Sequence, residues 1–225
     1  MGGIAAIIIK KKGGVKKMAR KEIEAVNFTI TSPRRYEVTI RGEGGILFNK
    51  MPDLSITKAE KKNQEKVDPA ELERKNWREK LYFESNNVVY IPGENLHQCL
   101  KDASKYWGQK IPGEGNKTFT DVVEKAVVVE NLNLGVNKDD KAIMPFGKNV
   151  NGNPSKGKKS GAKVYKIRPL VVGWSGIFTI HVFDARLTMG VLKTILSYAG
   201  TFIGLGDWRP TYGRFVLVNI KEVEE

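Results

Sequence analysis

The residues best equipped for chemistry lie late in the chain, in Gly204–Phe215, which reads GLGDWRPTYGRF. Gly204, Gly206 and Gly213 permit tight turns and a close backbone approach to a ligand, and their N–H groups can form an anion-binding concavity. Arg209 and Arg214 add guanidinium forks that match phosphate geometry. Trp208 and Tyr212 add π-faces on which a base stacks, at about 1–3 kcal/mol each. Glycine, arginine and aromatic in one short loop point to a nucleic acid; the plain alternative is a glycine-rich turn with an aromatic plug. The loop is not a dinucleotide fingerprint, because it precedes a strand instead of opening a helix.

A second candidate set is a basic row. His97, Lys101 and Lys105 recur at i, i+4 and i+8 and so share one helical face, either as a contact surface or as an ordinary solvated one. The third is the charge distribution. The formal net charge is +13, and two acid-free stretches hold all of it. Residues 1–20 carry Lys10, Lys11, Lys12, Lys16, Lys17 and Arg20; residues 148–168 carry Lys148, Lys156, Lys158, Lys159, Lys163, Lys166 and Arg168. One-sign charge concentrated in this way attracts polyanions, and two such stretches favour a nucleic acid over a solubilising tail. Met18 offers an alternative start, so residues 1–17 are read as a dispensable extension.

Other chemistries are disfavoured. Cys99 is the single cysteine, which excludes an internal disulfide, and with two histidines there is no Cys/His zinc set. No Ser-His-Asp set, P-loop or paired metal carboxylates stand out, so no metal and no cofactor is expected. No apolar run reaches the roughly 18 residues of a membrane span, and Ile4–Ile9 is too short for a signal-peptide core. The expectation is a cytoplasmic protein with no membrane partner.

The elements that must position these residues follow from periodicity. Tyr36, Val38 and Ile40 alternate with Glu37, Thr39 and Arg41, a half-buried strand. Residues 54–85 form a polar insertion, with a helix expected after Asp68-Pro69 over AELERKNWREKLYF. VVYI (88–91) is a short strand. Leu96, Cys99, Leu100, Ala103, Tyr106 and Trp107 make one helical stripe, with Asn95 and Gln98 as N-cap and capping-box partner. Residues 121–134 are strand-rich, and 135–163 form a second, loop-like insertion too polar to pack. Strands follow at VYKIRPLVVG and GIFTIHVFD. A helix spans Leu187–Ala199, burying Leu192, Ile195, Leu196 and Ala199 and stopping at Gly200. The last strand is RFVLVNI. With insertions removed the order is strand, helix, strand, strand, helix, strand: an α+β, ferredoxin-like (βαββαβ, RRM-like) core.

Two stretches carry a family resemblance. AGTFIGLGDWRPTYGRFVLV resembles the C-terminal glycine-rich loop of the RAMP superfamily, the RNA-binding proteins of CRISPR systems. VVYIPGENLHQCLKDASKYW resembles the IPG entry to the first helix in the backbone subunits of CRISPR effector complexes. The resemblance spans roughly residues 35–220 and extends to phage-encoded RAMP-like proteins. Glu94-Asn95 stands where the family usually has serines, and the family's frequent Lys-Gly pair is missing from the helix. The resemblance implies a domain over 21–225 behind a basic extension at 1–20. One insertion, 54–85 or 135–163, would act as a thumb between bases of a guide–target duplex.

It also implies a subunit that holds single-stranded guide RNA, stacks in further copies along it and pairs it with complementary target RNA or DNA for antiviral defence, with a partner nuclease. Lys101 and Lys105 would face the guide backbone, with Trp208, Arg209 and Arg214 beneath it. Gly204, Gly206, Tyr212 and Gly213 complete that loop, and Lys156, Lys158, Lys159 and Lys163 add the basic segment. Catalysis has three weak candidates by resemblance: His97 and His181 as general acid/base residues, and Asp53 in KMPDLS as a target-cleaving loop aspartate. The chain is therefore read as a non-enzymatic RNA-binding protein. The alternatives are a RAMP-like endoribonuclease and a guide-independent single-strand-binding phage protein.

Overall fold

A computed structural model describes residues 33–51, 69–151 and 163–224. The basic extension 1–20, Asp53, Lys156, Lys158 and Lys159 lie outside the described residues, and of Lys163 only the backbone is described. The fold is α+β, with antiparallel sheets and, among the described residues, four α-helices.

The central strand is the first. β1 (Arg34–Gly42) buries Tyr36, Val38 and Ile40, as its alternation predicts. β2 is Ile46–Leu47 and α1 is Pro69–Asn76, followed by a 3-10 turn at Trp77–Lys80. β3 (Val88–Ile91) leads into α2 (Gly93–Trp107), and α3 (Phe119–Ala126) runs directly into β4 (Val127–Val129). Next come β5 (Leu132–Asn137), β6 (Ile143–Asn151), β7 (Lys163–Val171), β8 (Ser175–Val182), α4 (Met189–Tyr198) and β9 (Phe215–Val223). β1 pairs with β8 on one side and β9 on the other, and β8 receives β4 and β5 on its outer edge. The main sheet thus runs β3-β5-β8-β1-β9, with β4 on β8. Its inward residues share one core with Leu96, Cys99, Leu100 and Ala103 of α2 and Leu192, Ile195 and Leu196 of α4.

Several sequence expectations need correction. Residues 164–173 do not join the main sheet: β7 is the middle of a second sheet, ordered β2-β7-β6. Residues 135–163 are not all loop, because β6 pairs with β7 in one unbroken register from Ile143↔Val171 to Asn151↔Lys163. Backbone pairing in an exposed hairpin needs no apolar face, so polarity hid this strand. Residues 121–134 begin as helix: Thr118 and Asp121 form a capping box, and Phe119, Val122 and Val123 are buried.

The helix expected over 70–83 ends at Asn76, and Leu81 beyond it is fully buried. Glu73 docks this segment, accepting from Lys80 at 2.5 Å, Lys166 at 2.9 Å and the Ile167 N–H at 2.9 Å. Burial pushes its carboxyl up, but those three donors outweigh burial and hold it below the ordinary value. The N-cap of α2 is Pro92, not Asn95. Tyr106, placed in the buried stripe by its spacing, is 61% exposed. Gly200 does not stop α4: the chain continues through a π-turn at Ala199–Ile203, and Gly204 at φ +76° ends it. Gly200 is needed because a Cβ there would meet the Phe215 carbonyl oxygen at 2.0 Å.

Candidate nucleic-acid interface

The glycine-rich loop closes against β2 and the residue before it, and several of its backbone donors are engaged there or within the loop. Asp207 N–H donates to the Leu47 carbonyl, Gly213 N–H to Gly45 and Leu205 N–H to Gly213, at 2.8–2.9 Å. Trp208 N–H donates to its neighbour's side chain, Asp207 Oδ1, at 3.0 Å. Gly206 has φ +76°, and a Cβ there would meet the Leu47 carbonyl oxygen at 2.4 Å. Close backbone packing therefore accounts for the glycine at 206, and the side chains are what the loop presents to a ligand.

Those side chains point two ways. Trp208 turns toward the second sheet, where Phe146 of β6 meets it edge-on at 5.7 Å and Tyr212 at 5.4 Å from Phe146 completes a ring cluster. The Arg168 guanidinium of β7 lies 4.4 Å from the Trp208 ring centroid, and the Lys148 ammonium of β6 lies 5.0 Å from it. Arg168 Nε also donates to the Asp207 carboxylate, while its Nη1 is buried and makes no hydrogen bond. Phe146↔Arg168 and Lys148↔Lys166 are cross-strand partners, so one face of the hairpin carries the whole set. Lys166 pairs with Glu73, which it shares with Lys80; Lys148 has no ion pair among the described residues and is exposed.

Arg209, the next residue, turns the other way and lies 3.9 Å from Asp102 of α2. Cys99 of α2 donates its thiol to the Gly204 carbonyl, and a cavity of about 90 Å³ is lined by Asn95 of α2 together with Gly206, Asp207, Leu47 and Tyr82. The two family-like segments, far apart in sequence, thus meet. Gly93 makes the second one fit: its N–H donates to Asn131 Oδ1 at 2.9 Å, and a Cβ would meet the Val129 carbonyl oxygen at 2.0 Å.

Among solved structures the chain is similar to the Type III-B Cmr-beta bound to cognate target RNA, with a TM-score of 0.48 at 14% identity. The match covers 86% of this chain and 61% of that one, so this chain spans less than two thirds of that protein's length. It is also similar to Cmr6 from Pyrococcus furiosus, with a TM-score of 0.47 at 12% identity, covering 83% of this chain and 99% of that one. No protein-family model matches the sequence, and no curated protein matches it.

The basic row on α2 faces α3. His97 Nε2 lies 3.1 Å from the Val123 carbonyl oxygen, and Lys101 pairs with Glu124 at 2.5 Å; Lys105 is exposed. His181 lies on β8, its Nε2 2.8 Å from Glu130 Oε1, and this contact leads the causes that hold the Glu130 carboxyl below its ordinary value. Arg214 is exposed beside the loop. No cluster of metal-ligating side chains occurs among the described residues, and no described helix is long and apolar enough to cross a membrane. Sequence reasoning missed Phe146 and Asp207, which complete the cluster. The alternation of Met144, Phe146, Lys148 and Val150 was a usable signal for the first.

Proposed function

We propose that this protein is a RAMP-type, non-enzymatic RNA-binding subunit that holds single-stranded guide RNA in the cytoplasm and assembles along it in further copies. Its core is ferredoxin-like: β1, α2, β4, β8, α4 and β9 supply the βαββαβ order, and β4-β8-β1-β9 has the adjacency that plan requires. The observation that carries the binding reading is the cluster around Trp208. Two cations from the hairpin rest on an aromatic ring of the glycine-rich loop: Arg168, tied to Asp207, holds the ring in place, and exposed Lys148 is left to meet a phosphate of a single strand. Lys105, Arg209 and Arg214 extend the positive surface around the loop, and the lysines of 156–163 belong to the same hairpin in sequence.

Complementary target RNA or DNA and a partner nuclease follow from the family resemblance as further proposals. Sequencing the RNA that co-purifies with the protein tests the assignment. One discrete, repeat-derived species is expected. Ends trimmed by the purified protein would replace it with the endoribonuclease reading, and heterogeneous RNA with guide-independent binding.

A further inference from the structure

The Trp208 ring, which the loop sequence offers to a base, already carries the protein's own cations, so base stacking has to be sought elsewhere. On the other flank of the loop, toward α2, Tyr106 is 61% exposed and Phe202 is 45% exposed, with ring centroids 5.0 Å apart and planes at 32°. Tyr198 joins them at 6.2 Å and 5.5 Å. Beneath lie Trp107, 6.4 Å from Tyr198, and Phe119, stacked on Trp107 at 5.4 Å. Buried and half-buried rings therefore support exposed ones.

The platform is also anchored to the fold. The π-turn Ala199–Ile203 places Phe202 beside Tyr198, and Gly200 seats that turn directly on β9. Among the described residues no cation lies over the Tyr106 or Phe202 ring. Arg209 lies by Asp102, one helical turn before Tyr106, so a charged donor of the loop stands next to the platform.

The geometry points to Tyr106 and Phe202 as a stacking platform for an unpaired nucleobase of a single strand whose phosphates pass over the glycine-rich loop; this rests on the RNA-binding function proposed above. A base is favoured over a protein partner by size and composition. The surface is two rings wide, whereas a stable protein interface needs about 800 Å² on each side. The exposed aliphatic side chains Val128, Ile177 and Val218 lie on strands of the main sheet and do not extend it.

The test measures the full chain's affinity for a labelled oligoadenylate of about 12 nucleotides and for the same backbone with abasic sites throughout. The parent should prefer the base-bearing strand. Tyr106→Ala with Phe202→Ala should weaken that strand by about 5- to 30-fold and leave the abasic strand unchanged. Tyr106→Phe should bind like the parent, and the salt slope should not move in any of these variants. Phe202→Leu keeps apolar surface without a ring and should behave like the alanine change. Leucine binding as well as the parent would overturn the platform. So would a parent that binds both strands equally, which leaves phosphate binding intact. Weaker self-association with unchanged RNA affinity in the double variant would assign the face to contacts between copies instead. A parent that binds neither strand would overturn the RNA-binding function itself, and the platform with it.

Discussion

Lys148→Gln and Lys101→Gln remove the same charge from the chain, yet the structure predicts different consequences. Lys101 is held by Glu124 at 2.5 Å, whereas Lys148 is exposed and rests on the Trp208 ring without an ion pair among the described residues. If Lys148, Lys105, Arg209 and Arg214 contact about four phosphates, log K falls by about 2.8 per tenfold rise in salt, at about 0.7 per phosphate. Between about 50 and 200 mM salt the parent then loses about 50-fold in affinity and Lys148→Gln about 20-fold, because one contact is gone. At fixed salt the exposed, screened contact contributes about 1–1.5 kcal/mol, or about 5- to 10-fold. Lys101→Gln shifts the long-range field equally but removes no phosphate contact, so its salt slope should match the parent's. Anisotropy titrations of a labelled single strand at several salt concentrations measure both quantities. Equal losses and equal slopes for the two variants would refute the assignment of the phosphate site to the hairpin and loop.

Gly206→Val should lower the melting temperature before it affects any ligand: a left-handed backbone costs about 1–2 kcal/mol and overpacking against Leu47 about 1–3 kcal/mol more. Arg209→Ala should melt like the parent. Glu73 has a folded pKa below its unfolded value, so its ionised form stabilises the protein above the usual carboxylate range, and that contribution is lost as pH falls through the depressed value. The melting difference between the parent and Glu73→Gln should therefore be present near pH 7 and close as pH falls below the ordinary carboxylate range. Burial pushes the Cys99 thiol up to about 12, so alkylation at about pH 8 should occur only through unfolding and slow in step with added stability.

Much of the main sheet was legible because burial writes a period into sequence. Tyr36, Val38 and Ile40 repeat every second residue, and Leu192, Ile195, Leu196 and Ala199 repeat every third or fourth; these sets do line the core. The second sheet was far less legible. β6 gains its order from hydrogen bonds to β7, which any residue type can make, and Gly147, Asn149 and Asn151 within it resemble loop. Val122 and Val123 look like strand residues, but the Thr118–Asp121 box starts a helix and tertiary packing overrides their β preference. At the candidate site, sequence identified the loop's charges and rings but not their directions. That Trp208 would turn to β6 and β7 while Arg209 turned to α2 depends on contacts between segments tens of residues apart.

The two-residue strand β2 joins β7 on one side and, through Leu47, receives the Asp207 N–H on the other. It therefore couples the glycine-rich loop mechanically to a hairpin whose nine unshifted residue pairs extend about 30 Å. Such a hairpin is a lever with its fulcrum beneath Trp208. Asn151↔Lys163 closes the far end of the paired register, so a displacement of that end reaches the Trp208 cluster through the pairs between. The tilt of the hairpin and the posture of the Trp208 cluster are then one mechanical variable.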